Sequence, residues 1–363
     1  SATSDAITTA ADGTCTAKLT SIGGGGLSHR NKVINGAMTI SQRGASFAAA
    51  NNVFTLDRYK IFGSHNGAVT VTQSATSPDG FAKSLKVDVT TADTSIAAGQ
   101  YIQLNHRIEA QDLQDLAYGT SAAKTITVSF YVRSNVTGNY SFAIQLPDNS
   151  NKQVSLVYTI NSANTWERKT FSIAGDTSGG INDDNGNGFN IFWNLAIGTQ
   201  YTSGTQRSAW HAYADADFAA GHAVNLLSST SNEWHLTGVQ IEVGDTATSF
   251  EHRSYGEELA RCQRYFYSYI PSSSLWRDGY SEGNIYVKGQ VSFPVTMRAN
   301  PSVTKVGTLT HSNNESGGDA ASEAPTTSIN EATSIVRSAS TGRTYSFWSN
   351  LPNGVGFTFS AEL

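Results

Sequence analysis

Two pairs of acidic residues are the first places where this sequence puts reactive groups at a useful spacing. Asp215 and Asp217 would share a face on a strand, and Asp112 and Asp115 would be neighbours on a helix. Cleaving a glycosidic bond takes two carboxylates about 5–10 Å apart across a sugar cleft. Nothing in the sequence places an aromatic sugar platform beside either pair, so both read as solvated surface acids. No G-x-S-x-G and no H-E-x-x-H occurs, which removes the common nucleophile and zinc-protease signatures. The eight histidines (His29, His65, His106, His211, His222, His235, His252 and His311) are scattered. They read as surface or satisfied core residues. Asp183, Asn185, Asn187 and Gly188 match positions 1, 3, 5 and 6 of a calcium loop. Asn194 stands where that loop needs a bidentate Glu, so an Asx/Gly turn is the better reading. No metal and no cofactor is expected.

Aromatic residues carry a binding chemistry instead. Exposed Trp and Tyr rings stack on the C–H faces of sugars, while neighbouring polar groups bond the hydroxyls. Trp276, Arg277, Asp278, Tyr280 and Glu282 fall together in SSSLWRDGYSEG, which reads as a Ser-rich loop. This loop is the candidate receptor or glycan site. Trp166 and Trp193 lie in well-patterned strands and read as core, whereas Trp210 and Trp234 are ambiguous. Trp348, beside Tyr345 and Phe347, reads as core or as an intersubunit contact.

Charged residues are only 15% of the 363 residues, against 109 Ser, Thr and Asn and 33 Gly. Few charges, many hydroxyls and regular glycines describe an exposed β-protein with many turns. The net charge of −5 offers no electrostatic footprint for nucleic acid. No apolar run approaches the ~20 residues of a membrane span. Cys15 and Cys262 are the only cysteines; they form no disulfide framework and read as free thiols.

The elements follow from period. Residues 1–30 form an N-terminal arm with a flexible joint at Gly23–Gly26. Residues 31–250 alternate apolar and polar positions, as in Ile126, Val128, Phe130 and Val132, or Phe189, Ile191, Trp193, Leu195 and Ile197. That is the pattern of a two-sheet sandwich or jelly roll, with a short helical interruption at 109–117. Residues 251–270 shift to helical spacing. Tyr255, Leu259, Cys262 and Phe266 predict one apolar stripe on a connecting amphipathic helix, capped by Ser254 with Glu257. This stripe is the candidate oligomerisation surface. Residues 271–363 predict a smaller C-terminal β-domain, with 312–325 as a polar loop. The expected fold class is therefore mainly β: a jelly-roll sandwich and a second β-domain joined by one helix.

The segments NKVINGAMTISQRG (31–44), TLDRYKI (55–61) and GVQIEVGDTATSFEHRSYGEELARCQRYFYS (238–268) resemble the tail-fibre and related structural proteins of marine tailed phages, cyanophages among them. Those proteins carry a jelly roll similar to carbohydrate-binding modules. The resemblance spans roughly residues 10–270; Tyr59 stands where many relatives have Trp. It implies a virion protein, a homotrimer, attached to other virion proteins through the N-terminal arm and facing the host from the tail. On that basis the chain is expected to be a non-catalytic tail fibre that contacts host surface polysaccharide. An architectural virion protein that binds only other phage proteins is the alternative, and a polysaccharide-degrading enzyme the third reading.

Overall fold

In a computed structural model the described residues are 7–9, 15–17, 28–49, 51–270, 275–279, 286–306, 310–313, 316–319, 326–328, 330–337, 345–349 and 356–363. They group into two compact units. The first comprises Ser1–Thr39, Ser46–Val53 and Tyr59–His252, and the second Ile40–Ala45, Phe54–Arg58 and Arg253–Leu363.

The first unit begins with a hairpin, β1 (Ile7–Thr9) and β2 (Cys15–Ala17). Twelve strands follow: β3 (Ser46–Ala49), β4 (Val53–Phe54), β5 (Tyr59–Ser64), β6 (Ala68–Ser74), β7 (Ser84–Thr91), β8 (Tyr101–Glu109), β9 (Ile126–Ser134), β10 (Gly138–Leu146), β11 (Lys152–Ile160), β12 (Glu167–Ile173), β13 (Asn187–Ile197) and β14 (Glu233–Val243). They form two six-stranded sheets, in the orders β11-β10-β13-β8-β5-β4 and β12-β9-β14-β7-β6-β3. From β8 onward the chain passes repeatedly from one sheet to the other, as in a jelly roll.

The inward rows are those the period-two pattern predicts. Ile126, Val128, Phe130 and Val132 are each 0% exposed, as are Tyr140, Phe142, Ile191 and Trp193. The sheets meet through Phe130, whose ring lies 5.8 Å from Phe142 and 5.9 Å from Trp193. Phe171 stacks on Phe142 at 6.0 Å. The helical interruption is a 3-10 helix over Ala110–Leu116, burying Leu113 and Leu116. The 183–188 segment forms the expected turn, with Asp184 Oδ1 accepting from the Gly186 N–H at 2.7 Å. Trp166 corrects the core reading. It precedes β12, half-buried, with its ring 5.8 Å from that of His235, because β12 begins only at Glu167.

In the second unit a helix, α2 (Tyr255–Gln263), follows the short α1 (Thr199–Thr202) of the first unit. Ser254 caps α2 by accepting from the Glu257 N–H at 3.3 Å. Ten strands complete the chain: β15 (Phe266–Tyr269), β16 (Leu275–Gly279), β17 (Tyr286–Ser292), β18 (Ser302–Val306), β19 (Thr310–Asn313), β20 (Ser316–Asp319), β21 (Thr326–Thr327), β22 (Glu331–Arg337), β23 (Tyr345–Ser349) and β24 (Gly356–Ser360). They pair as β15-β24-β18, β16-β23-β19-β20 and β17-β22-β21. Met297, Phe357, Phe359 and Ala361 form the core against the first of these sheets, with Tyr267 stacked on Phe359 at 6.1 Å.

Three expectations change here. The connecting helix ends at Gln263, and Phe266 lies on a strand. The reason is the aromatic run Tyr265–Tyr269, whose β-preference is satisfied by pairing with Phe357–Ser360. The predicted apolar stripe consequently loses Phe266, and along α2 it grades from Tyr255, 65% exposed, through half-buried Leu259 to fully buried Cys262. Part of the 312–325 segment is strand, in β19 and β20, rather than loop.

The segments 40–45 and 54–58 join the second unit through a buried polar knot. Gln42 bonds the Asp57 carboxylate at 2.7 Å from its backbone N–H and at 2.6 Å from Nε2, and Nε2 also donates to the Phe266 carbonyl at 2.8 Å. Arg43 and Arg58 both donate to Glu362. Arg58 lies over the Tyr265 ring at 3.4 Å and Arg43 over Phe266 at 3.6 Å.

Candidate functional site

Strand alternation that sends Ile102, Leu104 and Ile108 into the core leaves Tyr101, Gln103, Asn105 and Arg107 on the outward face of the first sheet. Register sets their neighbours. Arg107 is opposite Asn190, which is opposite Gln145. Asn105 is opposite Lys60 on one side and Phe192 on the other. Gln103 is opposite Phe62 and Asn194. The face is a floor of amides. Asn105 Nδ2 donates to Asn190 Oδ1 at 2.6 Å and to the Ile191 carbonyl at 2.9 Å, which fixes its orientation.

Residues 198–224 cross part of this face as a strap. Phe218 meets Phe192 edge-on at 5.3 Å. Ser155 Oγ donates to the Phe218 carbonyl at 2.9 Å, and the Gln153 and His211 backbones exchange hydrogen bonds at 2.9 and 3.0 Å. His222 anchors the far end. Its Nδ1 accepts from the Ser141 N–H at 3.0 Å, so Nε2–H donates to the Val224 carbonyl at 2.7 Å. Burial pushes its pKa down to about 4.

The strap carries tyrosines to the rim. Tyr201, on α1, meets Tyr101 edge-on at 5.6 Å, and Tyr101 lies 5.6 Å from Phe62. Tyr213 is 44% exposed, and its hydroxyl donates to Asp215 Oδ1. Gln200 Nε2 donates to the other oxygen of Asp215 at 2.9 Å. Burial and the neighbouring Asp215 carboxylate raise the Tyr213 phenol above its ordinary pKa. Four aromatic rings thus border a row of amide hydrogen-bonding groups. The rings offer faces to apolar C–H surfaces, while Gln103, Asn105 and Asn194 in the amide row are 4%, 2% and 0% exposed and Asn190 is half-buried.

The acid pairs read from the sequence are now placed. Asp215 and Asp217 share a 3-10 turn rather than a strand, and they serve different partners. Asp217 accepts from the Thr205 N–H at 2.8 Å and from Arg207 Nε at 3.0 Å. Both carboxyls lie below the ordinary value: Tyr213 and Gln200 do this for Asp215, the Thr205 N–H chiefly for Asp217. A glycosidase acid needs the opposite shift. Contrary to expectation, aromatic rings do stand beside Asp215. Asp115 pairs with Lys32 at 2.7 Å. Among the described residues no three His, Cys, Asp or Glu come together as a metal site, and no helix is long and apolar enough to cross a membrane.

The outward face of the second sheet is a mutually bonded ionic network. Glu233 accepts from Lys86 at 2.8 Å and from Arg133 at 2.6 Å. Partial burial opposes ionisation, yet these two cations hold its carboxyl at about 2. Arg133 also donates to Asn164, and it lies 3.1 Å from His235 Nε2. Burial, opposed by Glu233 and aided by Arg133, pushes the His235 pKa down to about 4.

The predicted loop site has a different form. Trp276, Arg277 and Asp278 lie on β16, a strand whose backbone puts Trp276 opposite Trp348. The strand is completed by antiparallel pairing with β23. The side chains of β16, together with Tyr280 and Glu282, lie outside the described residues. No sequence motif marks the amide and tyrosine face. The available signal was the outward parity of β8, the same alternation that identifies its core residues.

No protein-family model and no curated protein matches the chain. Solved structures similar to it at low identity include the enzymatically active domain of bacteriophage CBA120 tailspike protein 4 (12% identity, TM-score 0.33). That match covers 59% of this chain and only 21% of the tailspike chain. A CBM4 module is 17% identical with a TM-score of 0.30, covering 58% of this chain and 97% of the module. A family 11 carbohydrate-binding module from Clostridium thermocellum, solved with a mixed-linked tetrasaccharide, is 10% identical with a TM-score of 0.29. It covers 57% and 98% of the two chains.

Proposed function

We propose that this chain is a non-catalytic virion protein of a tailed phage, a trimeric tail fibre that contacts host surface glycans, and that the outward face of its first sheet is where it does so. The observation that carries the glycan reading is the border of Phe62, Tyr101, Tyr201 and Tyr213 at the edge of the outward face, where Tyr213 is exposed and the other three rings are half-buried. Accessible ring faces are what the C–H surfaces of a polyhydroxylated chain stack on. The non-catalytic reading rests on Asp215 and Asp217, both engaged as acceptors and both held ionised. The phage and trimer readings rest on the sequence segments 31–44, 55–61 and 238–268. Three weak sites on one trimer would bind by avidity.

Affinity electrophoresis of the full chain through gels containing soluble polysaccharides, neutral and uronate-bearing, tests the site. Retardation in at least one gel, lost on Tyr201→Ala or Tyr213→Ala, is expected. Retardation unchanged in both variants would move the site elsewhere. An absence of retardation in every gel would favour the architectural role. Sedimentation equilibrium tests the trimer, and a monomer at micromolar concentration would overturn it.

A further inference from the structure

We infer that Asp215 is the positioning residue of the glycan-binding face, a carboxylate clamp that sets the spacing of Tyr213 and Tyr201. The inference rests on the glycan reading above and names a residue that contacts no ligand.

The geometry is specific. The strap reaches the rim twice, once at Gln200 and Tyr201 on α1, and again at Tyr213. The two passes are twelve residues apart, and each carries one exposed or half-exposed tyrosine. Asp215 bridges them with one oxygen each: Oδ1 takes the Tyr213 hydroxyl, Oδ2 takes Gln200 Nε2 at 2.9 Å. Gln200 immediately precedes Tyr201, so the bridge holds the Tyr213 ring directly and ties it to the turn of helix that carries Tyr201, whose ring also packs on Tyr101 and Phe218. Two backbone bonds lie nearby, from the Gly204 N–H to the Ala216 carbonyl and from the Ala219 N–H to the Tyr201 carbonyl, both at 2.8 Å. Both join backbone to backbone, and neither engages a tyrosine hydroxyl.

An exposed tyrosine loses side-chain entropy when a ligand orders it, so holding it beforehand raises affinity. Bonds to an ionised acceptor are also stronger than neutral ones. The neighbouring acid does not duplicate the role, since Asp217 is occupied by Thr205 and Arg207. The groups facing Asp215 are the phenols of Tyr213 and Tyr201 and the amide of Gln200, all uncharged at neutral pH. Asp217, with Arg207 and His211 beside it, is the nearest charged cluster.

The experiment compares wild type, Asp215→Ala, Tyr213→Phe and the double variant, all as full chains. Ring NMR of labelled tyrosine reads the clamp without ligand. Tyr213 should titrate above the ordinary phenol range in wild type and fall towards it in Asp215→Ala. Affinity electrophoresis reads the consequence. Asp215→Ala and Tyr213→Phe should each weaken retardation about three- to tenfold with thermal midpoints unchanged, and the double variant should be no worse than Asp215→Ala. Both proteins share the His222 titration near 4, so the readout is their ratio: wild-type retardation relative to Asp215→Ala should stay level through the ordinary carboxylate range and fall below it. An unchanged Tyr213 titration in Asp215→Ala overturns the clamp. Wild-type retardation that Asp215→Ala leaves intact overturns the positioning role alone. No retardation of wild type by any polysaccharide overturns the glycan reading and this inference together.

Discussion

Arg58 and Glu362, 304 residues apart in sequence, form an ion pair in which the two side chains are only 2% and 4% exposed. Arg43 donates to the other Glu362 oxygen at 2.9 Å. Arg58 reaches this position from a left-handed backbone (φ 71°), which an arginine adopts at a cost of about 1–2 kcal/mol. The knot therefore joins the QRG and DRY segments to the end of β24. Removing one member of a buried pair leaves an uncompensated charge, at about 3–5 kcal/mol. Glu362→Gln should lower the opening free energy of β15, β18 and β24 by that amount, read by amide hydrogen exchange. Protection factors within threefold of wild type would refute it.

A pH dependence follows from His222. Its pKa in the folded protein, about 4, lies below the roughly 6.5 of an unfolded histidine. Between those values the unfolded chain binds the extra proton, so stability falls as pH drops from 6.5 towards 4. His222 should account for up to about 3 kcal/mol of that loss at pH 4. His235 acts in the same direction, while Glu233, at about 2, stays ionised throughout the window. Urea midpoints from pH 7 to pH 4 should decline in wild type and decline less in His222→Gln.

The meeting of the two sheets is concentrated at Phe142, which touches Phe130, Trp193 and Phe171. Phe142→Ala should cost about 3–5 kcal/mol through lost burial and the cavity left behind. Urea unfolding followed by the fluorescence of Trp193 and Trp234 measures it. A loss below 1 kcal/mol would mean that the inter-sheet core repacks freely.

Gly238 stands at a register shift in β14 with φ +61°, and a Cβ there would come within 2.7 Å of Phe81 and 2.9 Å of Tyr131. Gly80 also has a positive φ, +86°, but open space around it. Gly80→Ala should cost only the backbone term, about 1 kcal/mol. Gly238→Ala should cost more, by the displacement of Phe81. Equal shifts in thermal midpoint would show that the ring yields without penalty.

The sequence by itself determined the sandwich and its core. The residues that alternate in 126–132, 140–146 and 189–197 are the buried rows, because strand parity is a local property with a period of two. It also determined the Ser254 cap and the Asx turn at Asp184, each closed within three residues. Tertiary structure alone decided the rest. It placed Asp215 between Tyr213 and Gln200, and turned the end of the predicted helix into β15 by supplying Phe357–Ser360 as a partner. It also gave 40–45 and 54–58 to the second unit by closing Arg43 and Arg58 on Glu362. Each of these depends on which distant groups a side chain or strand meets. A buried charge or an unpaired edge is satisfied only by what the folded chain brings to it, and no local period records that.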